Sequence, residues 1–110
     1  MTQNIGFNQK ITDEVFMQAK EGELYAFETI YKTYFKACIS LAYRLSSDHQ
    51  LSQDIVHDAF IKVMKKIISL RERSSLGSWI KRIVTNEAIN KLKANNRVEP
   101  LTECMQLTIS

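Results

Sequence analysis

An all-α domain is the fold class this sequence predicts, on three observations. The chain has 110 residues, enough for one self-sufficient core without staples. It holds three Gly and one Pro, too few to punctuate a β-rich topology. Its apolar residues recur at three- and four-residue steps over long stretches, the period of an α-helix rather than a strand. The reading is a compact bundle of three longer helices and a short N-terminal one.

The short helix opens at Thr12 and Asp13, a cap and an acidic first turn, and continues through Val15, Phe16 and Ala19. Gly22 supplies a left-handed stop. The second helix spans about Glu23 to Leu45, with Phe27, Ile30, Tyr31, Tyr34, Cys38, Leu41, Ala42 and Leu45 as its apolar stripe. Ser46-Ser47-Asp48 gives a break and the next cap. The third helix spans about Gln50 to Ser69 and buries Leu51, Ile55, Ala59, Phe60, Val63, Met64 and Ile67. A polar loop, 71-RERSSLGS-78, leads to the fourth helix from about Ser78 to Asn95, with Leu76, Ile80, Ile83, Val84, Ala88 and Leu92 inward. After Arg97, VEPLTECMQLTIS contains Pro100 and has no period, so residues 98–110 read as a linker-like tail.

Charge is distributed unevenly. Residues 1–60 carry five Lys/Arg against eight Asp/Glu, whereas residues 61–98 carry ten against Glu72 and Glu87 alone. An acidic half joined to a basic half suggests two partners, one of them polyanionic. Cys38 and Cys104 are too far apart in character for a disulfide framework or a metal knuckle. No signal segment and no membrane-length apolar run is visible, which points to a cytoplasmic protein with no membrane partner.

Enzyme signatures are missing: no glycine-rich phosphate loop, no HExxH, no GxSxG. His49 and His57 lack a companion ligand, so no metal and no cofactor is expected. Asp54, His57 and Asp58 share one helical face opposite Leu51, Ile55 and Ala59. That patch is either an ordinary solvated face or an acidic docking face for a basic protein surface. On the fourth helix, Arg82, Asn86, Asn90 and Lys93 stand at +3, +7, +11 and +14 from Trp79, one continuous outward row, flanked by Lys81, Thr85 and Lys91. Asn is a mediocre helix former, so two of them on a basic face ask for a reason. Arg and Lys meet phosphates, and Asn offers a donor and an acceptor to a base edge. Trp79 either packs in the core or stacks on an unpaired base. Arg71, Arg73, Ser74 and Ser75 add cations and small hydrogen-bonding groups beside the same helix end.

Three stretches then carry a resemblance. 22-GELYAFETIYKTYFKACISLAYRL-45 resembles the G-D-x-x-A-F-x-x-L-Y-x-x-Y opening of the second conserved region of bacterial RNA polymerase sigma factors, closest to the extracytoplasmic-function group. 54-DIVHDAFIKVMKKI-67 is similar to that group's D-L-V-Q-E-x-F-L-x-V-W segment, and 74-SSLGSWIKRIVTNEAINKLK-93 to its S-x-F-x-x-W-L-x-x-I-A-x-N-x-x-x-D-x-x-R segment. The similarity covers about residues 15–95, within a domain of residues 1–97.

The resemblance implies a transcription initiation factor domain, not an enzyme. Asp54, His57 and Asp58 would dock on the clamp coiled coil of the largest subunit of core RNA polymerase. Residues 71–78 and the fourth helix would hold and help melt the promoter −10 element through its non-template strand, a base flipping into a pocket at the loop. An anti-sigma factor is a further candidate partner. His57 stands where the family usually has Gln, Asp58 where it often has Glu, Met64 where Trp is frequent and Asn90 where Asp is frequent. The second sigma domain, which would read the −35 element, has no counterpart here. The chain is therefore either a longer one cut at its interdomain linker, which the linker-like tail favours, or an unusual single-domain protein. The rival reading is a helical interaction module or sigma mimic that binds a regulator instead of DNA. A bundle that sets one helix into the duplex major groove is a third, and the long 71–78 loop fits it poorly.

Overall fold

The computed structural model describes residues 6–94. Four helices run in order, α1 (Asp13–Lys20), α2 (Leu24–Ser46), α3 (His49–Lys66) and α4 (Leu76–Ala94), with short 3₁₀ turns at Ile67–Ser69 and Arg73–Ser75 between the last two. Among the described residues there is no strand. α2 is the central element and packs against α1, α3 and α4, while α3 and α4 pack against each other.

Local chemistry sets the helix ends. Thr12 is extended and its hydroxyl accepts from the Val15 N–H at 3.1 Å, capping α1, while Asp13 and Glu14 complement the positive end of the helix. At the other end Gly22 takes φ +90°, and the Gly22 and Glu23 N–H groups close on Ala19 and Gln18 carbonyls. α2 stops where Ser47 turns left-handed at φ 57° and returns its N–H to the Tyr43 carbonyl at 2.7 Å. Asp48 follows immediately, and its carboxylate accepts from the Leu51 N–H at 3.0 Å to start α3. A two-residue link therefore makes α2 and α3 an antiparallel hairpin. Ser46 and Ser52, both buried, satisfy each other across it at 3.1 Å.

The core is one cluster. Ile30, Tyr34 and Cys38 from α2 meet Ile55, Ala59 and Val63 from α3 and Leu76, Ile80, Val84 and Ala88 from α4, all at 1% exposure or less. Each large aliphatic side chain so buried contributes roughly 1.5–3 kcal/mol. α1 adds Phe16 and Ala19. Residues 6–11, for which the sequence suggested no role, form part of this core. Phe7 stacks on Tyr34 with ring centroids 6.4 Å apart, Tyr34 Oη donates to the Gln9 carbonyl at 2.5 Å, and Ile11 is buried.

Three apolar assignments need correction. Met64 is half exposed, not inward, and Tyr31 and Leu45 are also at the surface. Each lies at the edge of its stripe. Tyr31 still packs its ring edge-on against Phe60, 4.8 Å between centroids, while its rim faces solvent. α3 ends at Lys66 rather than Ser69, because the turn tightens to 3₁₀ to bury Ile67. The segment 71–78 is not an open loop. The Ser75 N–H closes on the Glu72 carbonyl at 3.1 Å, and burial of Leu76 and Gly77 draws the start of α4 forward by two residues. The tail, 98–110, lies outside the described residues.

Candidate nucleic-acid interface

α4 turns Leu76, Ile80, Val84, Ala88 and Leu92 inward, so its opposite side is presented to solvent. Arg82, Asn86, Asn90 and Lys93 are all exposed there, in a row one turn apart. Trp79 begins the row, but its ring is only partly accessible because it packs against the core. Trp79 thus makes a core contact while part of its surface stays open. Lys81 is exposed but falls on another flank, since five residues at 100° each place it roughly 140° round the helix from Asn86.

The connection before α4 contributes unequally. Arg71 and Ser74 are exposed and Ser75 is partly covered. Arg73 is committed elsewhere: its guanidinium pairs with the Asp13 carboxylate and donates to the Ile11 carbonyl at 3.0 Å. It ties the 73–75 turn to the start of α1 and does not stand in the α4 row.

On α3, Asp54 and His57 are exposed side by side. Asp58 differs, because its carboxylate lies 2.5 Å from Lys91 Nζ of α4. The hydrogen bond that Lys91 donates to the Asp58 carboxylate holds the ammonium above its ordinary range, against some desolvation, with the charges of Asp58, Glu87 and Asp54 adding to it. One turn along the same seam Glu87, nearly buried, has Oε1 2.6 Å from Lys62 Nζ. That contact is ionic, its angle lying outside hydrogen-bonding geometry. Sequence reading missed Glu87. The signal was present as Asp58/Lys62 on one helix and Glu87/Lys91 on the next, legible once the two helices are known to run antiparallel.

Other reactive groups are housed structurally. Cys38 is fully buried, and burial pushes its thiol up to about 12, so it is no nucleophile. His49 stacks on Tyr43, centroids 4.5 Å apart. Among the described residues no cluster of His, Cys, Asp and Glu could hold a metal ion, and no helix is long and apolar enough to cross a membrane.

These features define a helical domain with an acidic patch at Asp54 and Asp58 on α3 and a basic, asparagine-bearing row on α4. The chain belongs to the sigma-70 region 2 family, whose profile matches residues 30–98. It is 29% identical over 92 residues to the RNA polymerase sigma-H factor of Pseudomonas aeruginosa, covering 84% of this chain and 48% of that protein. It is 30% identical over 93 residues to the ECF RNA polymerase sigma-E factor of Haemophilus influenzae, covering 84% and 49%. Against the sigma-E factor of Escherichia coli K12 it is 30% identical over 97 residues, covering 87% and 50%. The chain thus spans about half the length of the curated relatives it matches. No solved structure matches it.

Proposed function

We propose that this chain is the region 2 domain of a sigma factor that acts in transcription initiation, with residues 1–97 as the domain and 98–110 as linker. It docks on the clamp coiled coil of core RNA polymerase through α3 and captures the unpaired −10 non-template strand on α4. The observation that carries this reading is the exposed row Arg82–Asn86–Asn90–Lys93 beside the partly open Trp79.

Each part has a chemical task. Asn86 and Asn90 offer both a donor and an acceptor to base edges, whereas Arg82, Lys93 and Arg71 neutralise phosphates and fix the strand's position. Trp79 gives a wall on which an unpaired base stacks, and Ser74 and Ser75 line the turn beside it. Taking a base out of the duplex costs a few kcal/mol, which these contacts offset. On the α3 side, Asp54 and His57 meet the polymerase, with Asp58 partly neutralised by Lys91. Lys81 and Arg73 take peripheral roles on this geometry. An anti-sigma factor is a candidate competitor for either edge.

Fluorescence anisotropy with labelled single strands and duplexes tests the reading. The expected result is a preference for −10-like single strands that Asn86→Ala removes without changing the fold. Equal weak binding to every DNA would reduce α4 to a basic surface. Asp54→Lys should weaken binding to core polymerase, and unchanged core affinity would refute the docking assignment.

A further inference from the structure

The apolar stripes on the α3–α4 seam share a feature that leaves their register undetermined. On α3 they read Leu51, Ile55, Ala59, Val63 and Ile67, and on α4 Leu76, Ile80, Val84, Ala88 and Leu92. Both repeat every four residues. If α4 slides by one turn, roughly 6 Å, an aliphatic side chain still faces an aliphatic stripe. Packing detail opposes such a slip, but the hydrophobic pattern does not.

The charges along the same seam do oppose it. Lys62 pairs with Glu87 at 2.6 Å and Asp58 with Lys91 at 2.5 Å, so the two rungs have opposite polarity. A slip of one turn in one direction sets Glu87 against Asp58. In the other direction it sets Lys91 against Lys62. Either way one rung becomes a contact of like charges while the other is remade, as Lys91 with Asp54 or Glu87 with Lys66. Two favourable pairs thus give way to one favourable and one unfavourable, in a seam where the Glu87 side chain is only 10% exposed. With Glu87 nearly buried and Lys62 half exposed, the pair is a poor source of stability, and the best-attested use of such a pair is to specify register.

We infer that Lys62 and Glu87, with the Asp58–Lys91 rung, lock the register of α4 on α3 and so position Asn86 and Asn90 for the strand they bind. Glu87 adjoins Asn86 in sequence and lies one turn before Asn90, so its seat sets theirs relative to Arg71, Ser74 and the Asp54–His57 edge. Gly77 seats the start of the same helix against Phe7, whereas the ladder acts along the α3 side. The inference rests on the strand-capture reading above, and Lys62 and Glu87 are positioning residues within it.

The test is a charge exchange in the full chain, Lys62→Glu with Glu87→Lys. This exchange keeps both rungs paired but gives them the same polarity, so the slip that sets position 87 against Asp58 and Lys91 against Asp54 no longer meets like charges. A pair that merely stabilises predicts full recovery in the exchanged protein relative to either single reversal. A register lock predicts recovered stability, interhelix NOEs from a second α3–α4 register, and about a tenfold loss of preference among −10-like single strands, the scale of one lost base contact. Wild-type NOEs and wild-type preference in the exchanged protein would overturn the inference. Should that protein not fold, Glu87→Gln carries the same expectation and the same refutation. If the wild-type chain shows no strand preference, strand capture fails, and the lock is then decided by the NOEs alone.

Discussion

Replacing Gly77 by Ala is ordinarily a stabilising change inside a helix, worth up to about 1 kcal/mol. Here the sign should reverse. A Cβ built on Gly77 meets the Phe7 carbonyl oxygen at 1.9 Å and its carbon at 3.0 Å, both backbone atoms, with Tyr34 Cε1 at 3.5 Å. Restoring ordinary contact requires residues near Phe7 to retreat by about 1.5 Å. That segment is pinned by Gln9 Nε2 donating to the Thr33 carbonyl at 3.0 Å, by Tyr34 Oη on the Gln9 carbonyl, and by Arg73 on the Ile11 carbonyl. Overpacking of this kind costs about 1–3 kcal/mol, so after the propensity gain the net loss is roughly 1–2 kcal/mol. For a domain of this size that lowers the Tm by about 4–10 °C. Thermal denaturation followed by circular dichroism measures it. Because Phe7→Ala releases the ring that stacks on Tyr34, Gly77→Ala should cost less in that background, a coupling of about 0.5 kcal/mol or more. A Tm that stays level or rises in Gly77→Ala alone would refute the seating of residues 6–11 on α4.

Asp48→Ala removes the cap of α3 and should cost about 1 kcal/mol in urea unfolding, with Asp48→Asn retaining most of it; equal losses in the two variants would count against capping. Cys38 contributes an alkaline limb. Its folded thiol titrates at about 12 against an ordinary 9.0, so its share of stability is intact below pH 9.0 and declines as pH rises towards 12. Cys38→Ala should therefore lose about 1 kcal/mol less than wild type between pH 8 and pH 10, and parallel losses would show that the thiol is not shielded. Binding of single-stranded DNA should vary with salt as if roughly three phosphates were neutralised, a log–log slope near −2, since Arg71, Arg82 and Lys93 are the open cations of the α4 edge. A slope near −3.5 would mean that the two paired lysines, Lys62 and Lys91, take part as well.

The stripes of α2, α3 and α4 and the caps at Thr12, Gly22 and Asp48 were legible because each depends on residues within a turn or two of one another. Whatever depends on a neighbouring helix was not. Met64 and Tyr31 sit at the margin of a stripe, where helical period cannot decide between core and solvent; the path of the adjacent helix decides. Residues 6–11 have no period at all, and their burial follows from the space that Gly77 leaves open. Arg73 looked like a free cation because its partner, Asp13, is sixty residues away in sequence. Of the proposed interface, the α4 row was readable from spacing alone, while the commitment of Asp58 to Lys91 was not.

The same distinction changes what the charge asymmetry means. Counting residues assigns ten cations to the stretch 61–98, yet Lys62, Arg73 and Lys91 are held by Glu87, Asp13 and Asp58. These pairs subtract charge from both edges at once. Lys91 neutralises part of the α3 patch that would meet polymerase, and Asp58 removes a cation from the side of α4. The acidic Asp54–Asp58 patch of α3 and basic α4 lie on either side of their seam, so unpaired groups there would pull each edge's counter-charge inward without fixing a geometry. Rungs of opposite polarity centre that attraction on Asp58, Lys62, Glu87 and Lys91. Asp54 and His57 on one side, and Arg82, Asn86, Asn90 and Lys93 on the other, are thereby left facing solvent. If the domain holds a protein and a nucleic acid on adjoining helices as proposed, its opposite charges must be satisfied between the helices and unsatisfied beyond them, and this seam meets both conditions.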